Sequence, residues 1–441
     1  MKISFTPQNL IRKNMNFKSN ITFDIGGSQR EGSCKIYYAS TPKDEVFYTE
    51  NTTVNDLGKS QFQSSDEFID HIVEKIGRIQ RDSKKTVEEK GYGEDENALK
   101  NVAIFLPSYT SKQQAFYLPN HRNNENRPLK DLDFSKFKER LEAEGIKVAP
   151  DMKFKILQDA LGAGLAMTKK LHEQGMLTEG KYYTTCITGG GCGISNIEVI
   201  DKDKVLVKSS GSSYLSQSLS LQKVSRAGAS APAIIENFCR AMGFNDEIIE
   251  DIKSCHKAEF TMAEETTYPK NIKTKKLAQY LADTQKFDVI DNHTSETITI
   301  KIKDEYKKDY EAARRNAIDK YCLALARLAI IKKAEGSNGM IITGTLAKAV
   351  NKASEEHYGR GVGEWVMRHL TQSFNSYELD KLQKTYNFDV ICDDRFYIDN
   401  NTECQELVHL AEFVSPERGN WLKLNISDLT RQEKQSEEKS E

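Results

Sequence analysis

Short apolar runs, each followed by polar or glycine-rich residues, fill the first third of the chain. Three of these runs predict strands, at Ile21–Ile25, Cys34–Ala39 and Glu45–Thr49. Apolar residues then recur at helical spacing over Asp66–Ile79, and the run Val102–Leu106 predicts a buried strand. We expect the charged, glycine-interrupted stretch Arg81–Asn97 to be an exposed insertion.

The alternation of strands and helices continues and then starts to repeat. Helices are predicted over Asp133–Gly145 and from about Asp159 to Glu173, with the strands Ile146–Ala149 and Phe154–Leu157 between them. The order of strand, glycine turn and strand found near residue 24 returns near residue 190. This recurrence predicts an α/β protein with two topologically similar lobes, each a mixed sheet flanked by helices.

Shifts in composition mark the predicted boundaries. An Asn- and Lys-rich leader, residues 1–20, and a charged tail, residues 425–441, are expected to be disordered. Residues 21–165 form the predicted N-terminal lobe. Residues 166–424 form the predicted C-terminal lobe, which carries a charged insertion at about 265–310.

Composition also limits the classes of function. With 441 residues, of which 38% are hydrophobic and 29% charged, the chain suits about two globular domains. The formal net charge is -2, so the chain has no excess of positive charge that would indicate binding to nucleic acid or to a membrane surface. No apolar run matches a bilayer span and residues 1–20 lack a signal core, so we expect a cytoplasmic protein. The eight cysteines form no CxxC pair, which favours reduced thiols over disulfides or a zinc site.

The stretch Phe23–Arg30 has the composition of a phosphate-binding turn. Gly26 and Gly27 can take positive φ and let a phosphate approach the main chain, beside the Ser28 hydroxyl. Asp24 can hold Mg²⁺ directly or through water, and the positive charge of Arg30 can pair with a phosphate group. From this stretch alone, a Gly-Gly-Ser hairpin without a ligand is an equally good interpretation.

Two further loops follow apolar strands in the same way, Gly189–Gly193 and Thr343–Lys348. Open α/β sheets bind ligands where their strands end, so the three loops together suit a nucleotide. No GxxxxGK[ST] sequence occurs, which excludes a P-loop. Asp159, at the start of a helix rich in small residues, can act as general base on a hydroxyl; taken alone, an N-cap aspartate is the commoner interpretation.

The order of these motifs resembles the hexokinase-type branch of the actin-like ATPase superfamily, and most closely the ROK and glucokinase group. Phe23–Arg30 resembles the first phosphate motif of those kinases, and Gly189–Gly193 the second, with Gly190 where a threonine is usual. Ile342–Lys348 is similar to their adenosine motif. Three shorter landmarks follow the same order: Leu106–Ser108, Leu118–Asn120 and Gln158–Ala160, the last in place of Asn-Asp-Ala.

The resemblance implies a two-lobed actin-like ATPase (ribonuclease H-like) fold that binds nucleotide and sugar in a cleft between the lobes. It implies ATP and Mg²⁺ as cofactors, Asp159 as catalytic base, and a homodimer. The residues implied for ATP and phosphate are Asp24, Gly26, Gly27, Ser28, Arg30, Gly189, Gly190, Gly191, Gly193, Thr343, Gly344 and Thr345. The residues implied for the sugar are Pro107, Ser108, Asn120, Gln158, Asp159, Ser213 and Gln217.

Three departures from the pattern leave the substrate open. The Glu-Ile-Gly-His sugar segment of those kinases is replaced by Gly211–Ser218, Gln158 replaces the usual Asn, and the zinc-binding cysteine cluster is missing, Cys255-His256 being a lone pair. The chain is therefore either a kinase of a hexose, amino sugar or related polyol, or a catalytically weak sensor or scaffold. Repression of transcription is not expected, because residues 1–20 are too short for a helix-turn-helix domain.

Overall fold

A computed structural model describes residues 19–25, 34–40, 46–52, 61–93, 97–125, 127–189, 191–209, 228–243, 286–290, 297–301, 307–372, 379–398, 416–418, 421–427 and 429. By internal contacts the chain divides into a first unit, residues 1–162 with 401–441, and a second unit, residues 163–400. The sequence placed the boundary at residue 165 and assigned residues 401–424 to the second lobe. The boundary falls inside helix α3, Asp159–Glu173.

The first unit is built on a five-stranded mixed sheet. Its strands are β1 (Ser19–Ile25), β2 (Cys34–Ser40), β3 (Val46–Thr52), β5 (Leu99–Leu106) and β9 (Val148–Gln158). They lie in the order β3-β2-β1-β5-β9. The first three pair antiparallel, whereas β5 and β9 run parallel to β1. The carboxyl ends of β1, β5 and β9 therefore meet at one edge of the sheet.

Helix α1 (Ser65–Glu89) covers this sheet with a stripe of apolar side chains and is capped by Ser64, whose hydroxyl accepts from the Glu67 N–H at 3.1 Å. The prediction of an exposed insertion from Arg81 is wrong. The helix runs on to Glu89 because Ser83 and Val87 continue its buried face. A further helix, α2 (Phe137–Ala143), is shorter than predicted, because a strand and a turn, residues 128–133 and 135–136, precede it and Gly145 has φ +72 after it.

A small second sheet accompanies α1 in the first unit. It contains β4 (Gln61–Phe62), β6 (Thr110–Ser111), β7 (Gln114–Asn123) and β8 (Pro128–Asp133). Strand β6 pairs antiparallel with β7, and β7 with β8. The tight hairpin β6–β7 follows directly on the end of β5.

The second unit repeats the main sheet of the first. Its strands β10 (Tyr182–Thr188), β11 (Cys192–Asp201), β12 (Lys204–Ser209), β15 (Gly339–Thr343) and β16 (Asp389–Ile391) lie in the order β16-β15-β10-β11-β12. Strands β10 to β12 pair antiparallel, and β15 and β16 run parallel to β10. Order and direction match those of the first unit strand for strand, as the recurring glycine turn predicted.

Helices enclose an apolar core on this second sheet. They are α4 (Ala231–Ala241), α5 (Lys307–Ala334), α6 (Thr345–Tyr358), α7 (Val362–Thr371) and α8 (Leu379–Tyr386). Two antiparallel strand pairs complete the described chain, β13 (Lys286–Ile290) with β14 (Thr297–Lys301) and β17 (Pro416–Arg418) with β18 (Trp421–Asn425). The first pair lies within the predicted insertion. Among the described residues, no helix is long and apolar enough to cross a membrane.

Candidate functional site

The parallel strand ends of the first unit gather three residues that the sequence singled out. Asp24 on β1 is aligned with Phe105 on β5, which is aligned with Leu157 on β9. One residue further along, Leu106 is opposite Gln158, and Asp159 opens α3 directly after it. Asp24, Gln158 and Asp159 therefore lie at the same edge of one sheet, where ligands of open α/β sheets bind.

Gln158 is the most unusual of these side chains. It is only 4% exposed, and its amide oxygen Oε1 has no hydrogen-bond partner among the described residues. A buried acceptor without a partner costs about 1–3 kcal/mol. An acceptor left unpaired at a strand end is suited to accept a hydrogen bond from a ligand.

Asp159 does not occupy the N-cap position that the alternative interpretation gave it. It is the first helical residue of α3, and its Oδ1 accepts a hydrogen bond from the Ala160 N–H at 2.7 Å. The side chain is half-buried. A negative charge in the first turn of a helix is favoured by the helix dipole, so this position suits a carboxylate.

In the second unit, the turn after β10 is braced by a helix that the sequence analysis did not connect with it. The Gly189 N–H donates to the Gly191 carbonyl at 2.9 Å, and the Gly189 carbonyl accepts from the Ala231 N–H at 2.9 Å. Ser230 caps α4 through the Ala233 N–H at 3.4 Å. The amino end of α4 thus lies against the glycine turn, and such an end favours a nearby anion.

The turn also has room beside it. A Cβ built on Gly189 or Gly191 meets no atom of the described residues within 4 Å. Parallel pairing of Ile187 with Thr343 then brings the end of β15 alongside the turn. At that end Gly344 has φ +99, and Thr345 is exposed at the start of α6.

Comparison with solved structures identifies this architecture. The chain matches the glucokinase of Balamuthia mandrillaris, crystallised with glucose, at a TM-score of 0.50 and 9% identity, over 90% of this chain and 95% of that one. The chain has the same fold as that glucokinase. The fold prediction is therefore confirmed.

Further structures match this sugar-kinase fold at lower scores. A ROK family transcriptional regulator, a homologue of the E. coli MLC protein, matches at a TM-score of 0.49 and 12% identity, over 89% of this chain and 78% of that one. The ROK glucokinase of Streptomyces griseus, crystallised with glucose and AMPPNP, matches at a TM-score of 0.46 and 10% identity, over 89% of this chain and 99% of that one. No protein-family model and no curated protein matches the sequence.

Two other residues that the sequence analysis predicted for the site, Ser108 and Thr343, make hydrogen bonds to the backbone. The buried Ser108 hydroxyl donates to the Tyr109 carbonyl and accepts from the Tyr117 N–H, both at 3.0 Å, which fastens hairpin β6–β7 to the end of β5. The buried Thr343 hydroxyl donates to the Phe396 carbonyl at 2.9 Å and accepts from the Ile398 N–H at 2.7 Å. Both hydroxyls hold backbone in place beside a strand end.

The remaining predicted residues are placed as follows. Pro107 follows the last residue of β5, Asn120 lies on β7, and Gly193 lies on β11 opposite Ile187. Several fall outside the described residues: Gly26, Gly27, Ser28, Arg30, Gly190, Ser213 and Gln217, with Cys255 and His256.

Asp24 fits the requirements of a magnesium ion shared with a nucleotide. It is 5% exposed at the end of β1. Mg²⁺ is usually held by one or two carboxylates together with phosphate oxygens and water, so a single carboxylate suffices. Over the described part of the chain, no group of three or more His, Cys, Asp or Glu is placed to hold an ion without such a ligand.

Proposed function

We propose that the protein is an ATP-dependent kinase that transfers the γ-phosphoryl group to a hydroxyl of a hexose, amino sugar or related polyol. The observation that carries the proposal is the meeting of Asp24, Gln158 and Asp159 at one sheet edge, where the buried Gln158 amide oxygen has no partner among the described residues. A polyol has several hydroxyl groups that can donate a hydrogen bond to this oxygen.

In this proposal each residue of the edge has one task. The Asp159 carboxylate accepts the proton of the attacking hydroxyl, and the Gln158 oxygen orients the polyol by accepting from a neighbouring hydroxyl. Asp24 would hold Mg²⁺, which neutralises phosphate charge when bound. Phosphoryl transfer depends mostly on positioning and charge neutralisation, so these groups are sufficient.

Nucleotide contacts are proposed for the second unit. Within the part of the chain that the structure describes, no atom lies within 4 Å of a Cβ on Gly189 or Gly191, and the amino end of α4 packs against their turn. Gly344 and Thr345 lie next to it at the end of β15. The first phosphate turn, residues 26–30, lies outside the described residues, and its role remains as the sequence predicted it. We place the reaction in the cytoplasm, where ATP is supplied; the homodimer stays a prediction.

A second candidate function is a sensor or scaffold of the same fold that binds nucleotide or sugar without efficient transfer. The sequence of Gly211–Ser218, which lacks the Glu and His of the sugar kinases, and the glycine at position 190 favour it. The presence of Asp159 favours the kinase, because a sensor needs no general base.

The deciding experiment measures ADP release by purified full-length protein with Mg-ATP against a panel of sugars. The panel begins with glucose, the ligand of the Balamuthia mandrillaris glucokinase. We expect sugar-dependent ADP release that falls by about 10²–10⁴-fold in Asp159→Asn. The matched control is Asp151→Asn, an exposed carboxylate on the same strand, β9, which should leave the rate unchanged.

Three results separate the candidates. Release of ADP that depends on one sugar and requires Asp159 supports the kinase. A silent panel with intact nucleotide or sugar binding, measured by calorimetry, supports the sensor. Absence of both binding and turnover in folded protein contradicts both.

A further inference from the structure

Two thiols flank the glycine turn of the second unit. Cys186 on β10 and Cys192 on β11 have their Sγ atoms 3.1 Å apart. Cys186 is fully buried, whereas Cys192 is 8% exposed and follows directly on the exposed Gly191. A disulfide bond has an S–S length of about 2.05 Å, so the two sulfurs are about 1 Å from bonding distance.

The register of the β10–β11 hairpin shows how far the backbone must move before the two sulfurs can bond. Cys186 is opposite Ile194 and Cys192 is opposite Thr188, so the two cysteines are diagonal neighbours. Diagonal neighbours of an antiparallel pair lie about 7–8 Å apart, whereas the Cα atoms of a disulfide lie about 4.4–6.8 Å apart. Forming the bond therefore moves the two strand ends that carry the turn.

We propose that Cys186 and Cys192 are a modification site, at which a hydroperoxide forms a reversible disulfide across the Gly189–Gly191 turn and thereby weakens nucleotide binding. The effect on nucleotide rests on the proposed function. Formation of the disulfide does not depend on it.

The oxidation takes two balanced steps with a hydroperoxide as oxidant. The Cys192 sulfur attacks one peroxide oxygen, the O–O bond breaks, and the leaving oxygen departs as water or alcohol with the thiol proton. Cys192 is then a sulfenic acid, oxidised by two electrons. The Cys186 sulfur attacks the Cys192 sulfur, the S–O bond breaks, and water departs with the Cys186 proton.

The surroundings of the two cysteines indicate which thiol is oxidised first and which one then attacks it. Cys192 keeps a small exposed fraction beside the exposed Gly191, whereas Cys186 has none, so we assign the first step to Cys192. The hydrogen bond with Cys192, together with burial, raises the pKa of the Cys186 thiol well above its ordinary value. Because the thiolate is the attacking form, this raised pKa slows the second step, in which the Cys186 proton leaves with the departing hydroxyl as water.

Movement of the turn is transmitted to the neighbouring motif. Thr188, opposite Cys192, has its hydroxyl 2.8 Å from the Tyr321 hydroxyl. A Cβ built on Gly344 would lie 2.4 Å from the Thr188 carbonyl oxygen. Displacing Thr188 therefore disturbs both proposed nucleotide-binding loops of this unit.

The test treats full-length protein with hydrogen peroxide and measures two quantities. Both cysteines lie on one tryptic peptide, residues 182–202, so the disulfide appears as that peptide lighter by two hydrogens and resistant to alkylation until reduced. Calorimetry with ATP should show an affinity roughly five-fold lower or weaker still after oxidation, restored by dithiothreitol. Cys192→Ala should abolish both changes, as should Cys186→Ala. The control Cys239→Ala, a buried thiol on α4, should retain both.

The outcomes are distinguishable. A peptide that stays at its reduced mass, or that carries sulfinic acid without a disulfide, overturns the modification site. A disulfide that leaves ATP affinity unchanged overturns the coupling. If reduced protein binds no ATP at all, the proposed function fails, while the peptide mass still decides whether the disulfide forms.

Discussion

Gly344 packs directly against the backbone of Thr188. A Cβ at position 344 would lie 2.4 Å from the Thr188 carbonyl oxygen and 3.0 Å from its nitrogen. Gly344 also has φ +99, a conformation that L side chains rarely adopt. The glycine therefore permits the end of β15 and the end of β10 to approach each other, which places the two proposed nucleotide loops of the second unit side by side.

This contact gives a first prediction. Gly344→Ala should lower the free energy of unfolding by roughly 2–5 kcal/mol, because backbone strain and a clash with main-chain atoms add together. The matched control is Gly359→Ala. This position has φ +64, but no atom of the described residues lies within 4 Å of a Cβ built there, so the change should cost only about 1–2 kcal/mol. Urea titration of both variants measures the difference. Equal losses would show that the close approach is not as described.

The Thr343 hydroxyl supports a second prediction. It bridges the Phe396 carbonyl and the Ile398 N–H inside the second unit. Thr343→Val should therefore cost about 1–3 kcal/mol, since two buried backbone groups lose a partner. Thr343→Ser keeps the hydroxyl and should recover most of that loss. If the two variants are equally stable, the bridge contributes nothing and the hydroxyl is available to a ligand.

Helix α3 provides a third prediction through Gly164. A Cβ there would lie 2.7 Å from both the Ser195 Oγ and the Val207 Cγ1, so the helix packs on β11 and β12 without space for a methyl group. Gly164→Ala should destabilise the protein by about 1–3 kcal/mol. Gly77→Ala, in α1, meets nothing nearer than 3.4 Å and should instead stabilise it by up to about 1 kcal/mol. The pair of melting temperatures, shifted in opposite directions, is the measurement.

The sequence predicted those parts of the fold that are encoded locally. Apolar runs followed by glycines mark the ends of β1, β10 and β15, so these strand ends and the repeated order of strands could be predicted. The extension of α1 was missed because charge was taken as the sign of a loop, although Ser83 and Val87 keep the helical spacing of the buried face.

Contacts between segments that are distant in the sequence could not be predicted in this way. The Ala231 N–H reaches the Gly189 carbonyl through tertiary packing, and nothing in the sequence near either residue indicates it. That the Gln158 oxygen finds no partner among the residues described likewise depends on what surrounds the side chain in three dimensions. Such features decide how a site works, and they require coordinates.

Alkaline stability gives a fourth prediction. Burial, and then the negative charge of Glu335, raise the pKa of Tyr182 to about 12. Between about pH 10, where an unfolded tyrosine titrates, and about pH 12, the unfolded chain loses a proton that the folded chain keeps. The stability contribution is therefore complete below pH 10 and is lost as pH rises through this window. Tyr182→Phe should make the fall in unfolding free energy with pH less steep there. An identical slope would contradict the prediction.

The last prediction concerns Gln158, whose buried amide oxygen has no partner among the described residues. Replacing it by methionine keeps the length of the side chain and removes an unsatisfied acceptor, so the free energy of unfolding should stay the same or rise by about 1 kcal/mol. If the oxygen serves a polyol, the same variant should raise the KM for the sugar about ten-fold or more, because a ligand hydroxyl loses its acceptor. Gln158→Asn keeps an amide but shortens its reach, and should fall between the two in KM. A structural role predicts the reverse pattern, with Gln158→Met less stable and unchanged in KM. Thermal unfolding and initial rates on the three proteins therefore decide whether this residue is there for the fold or for the substrate.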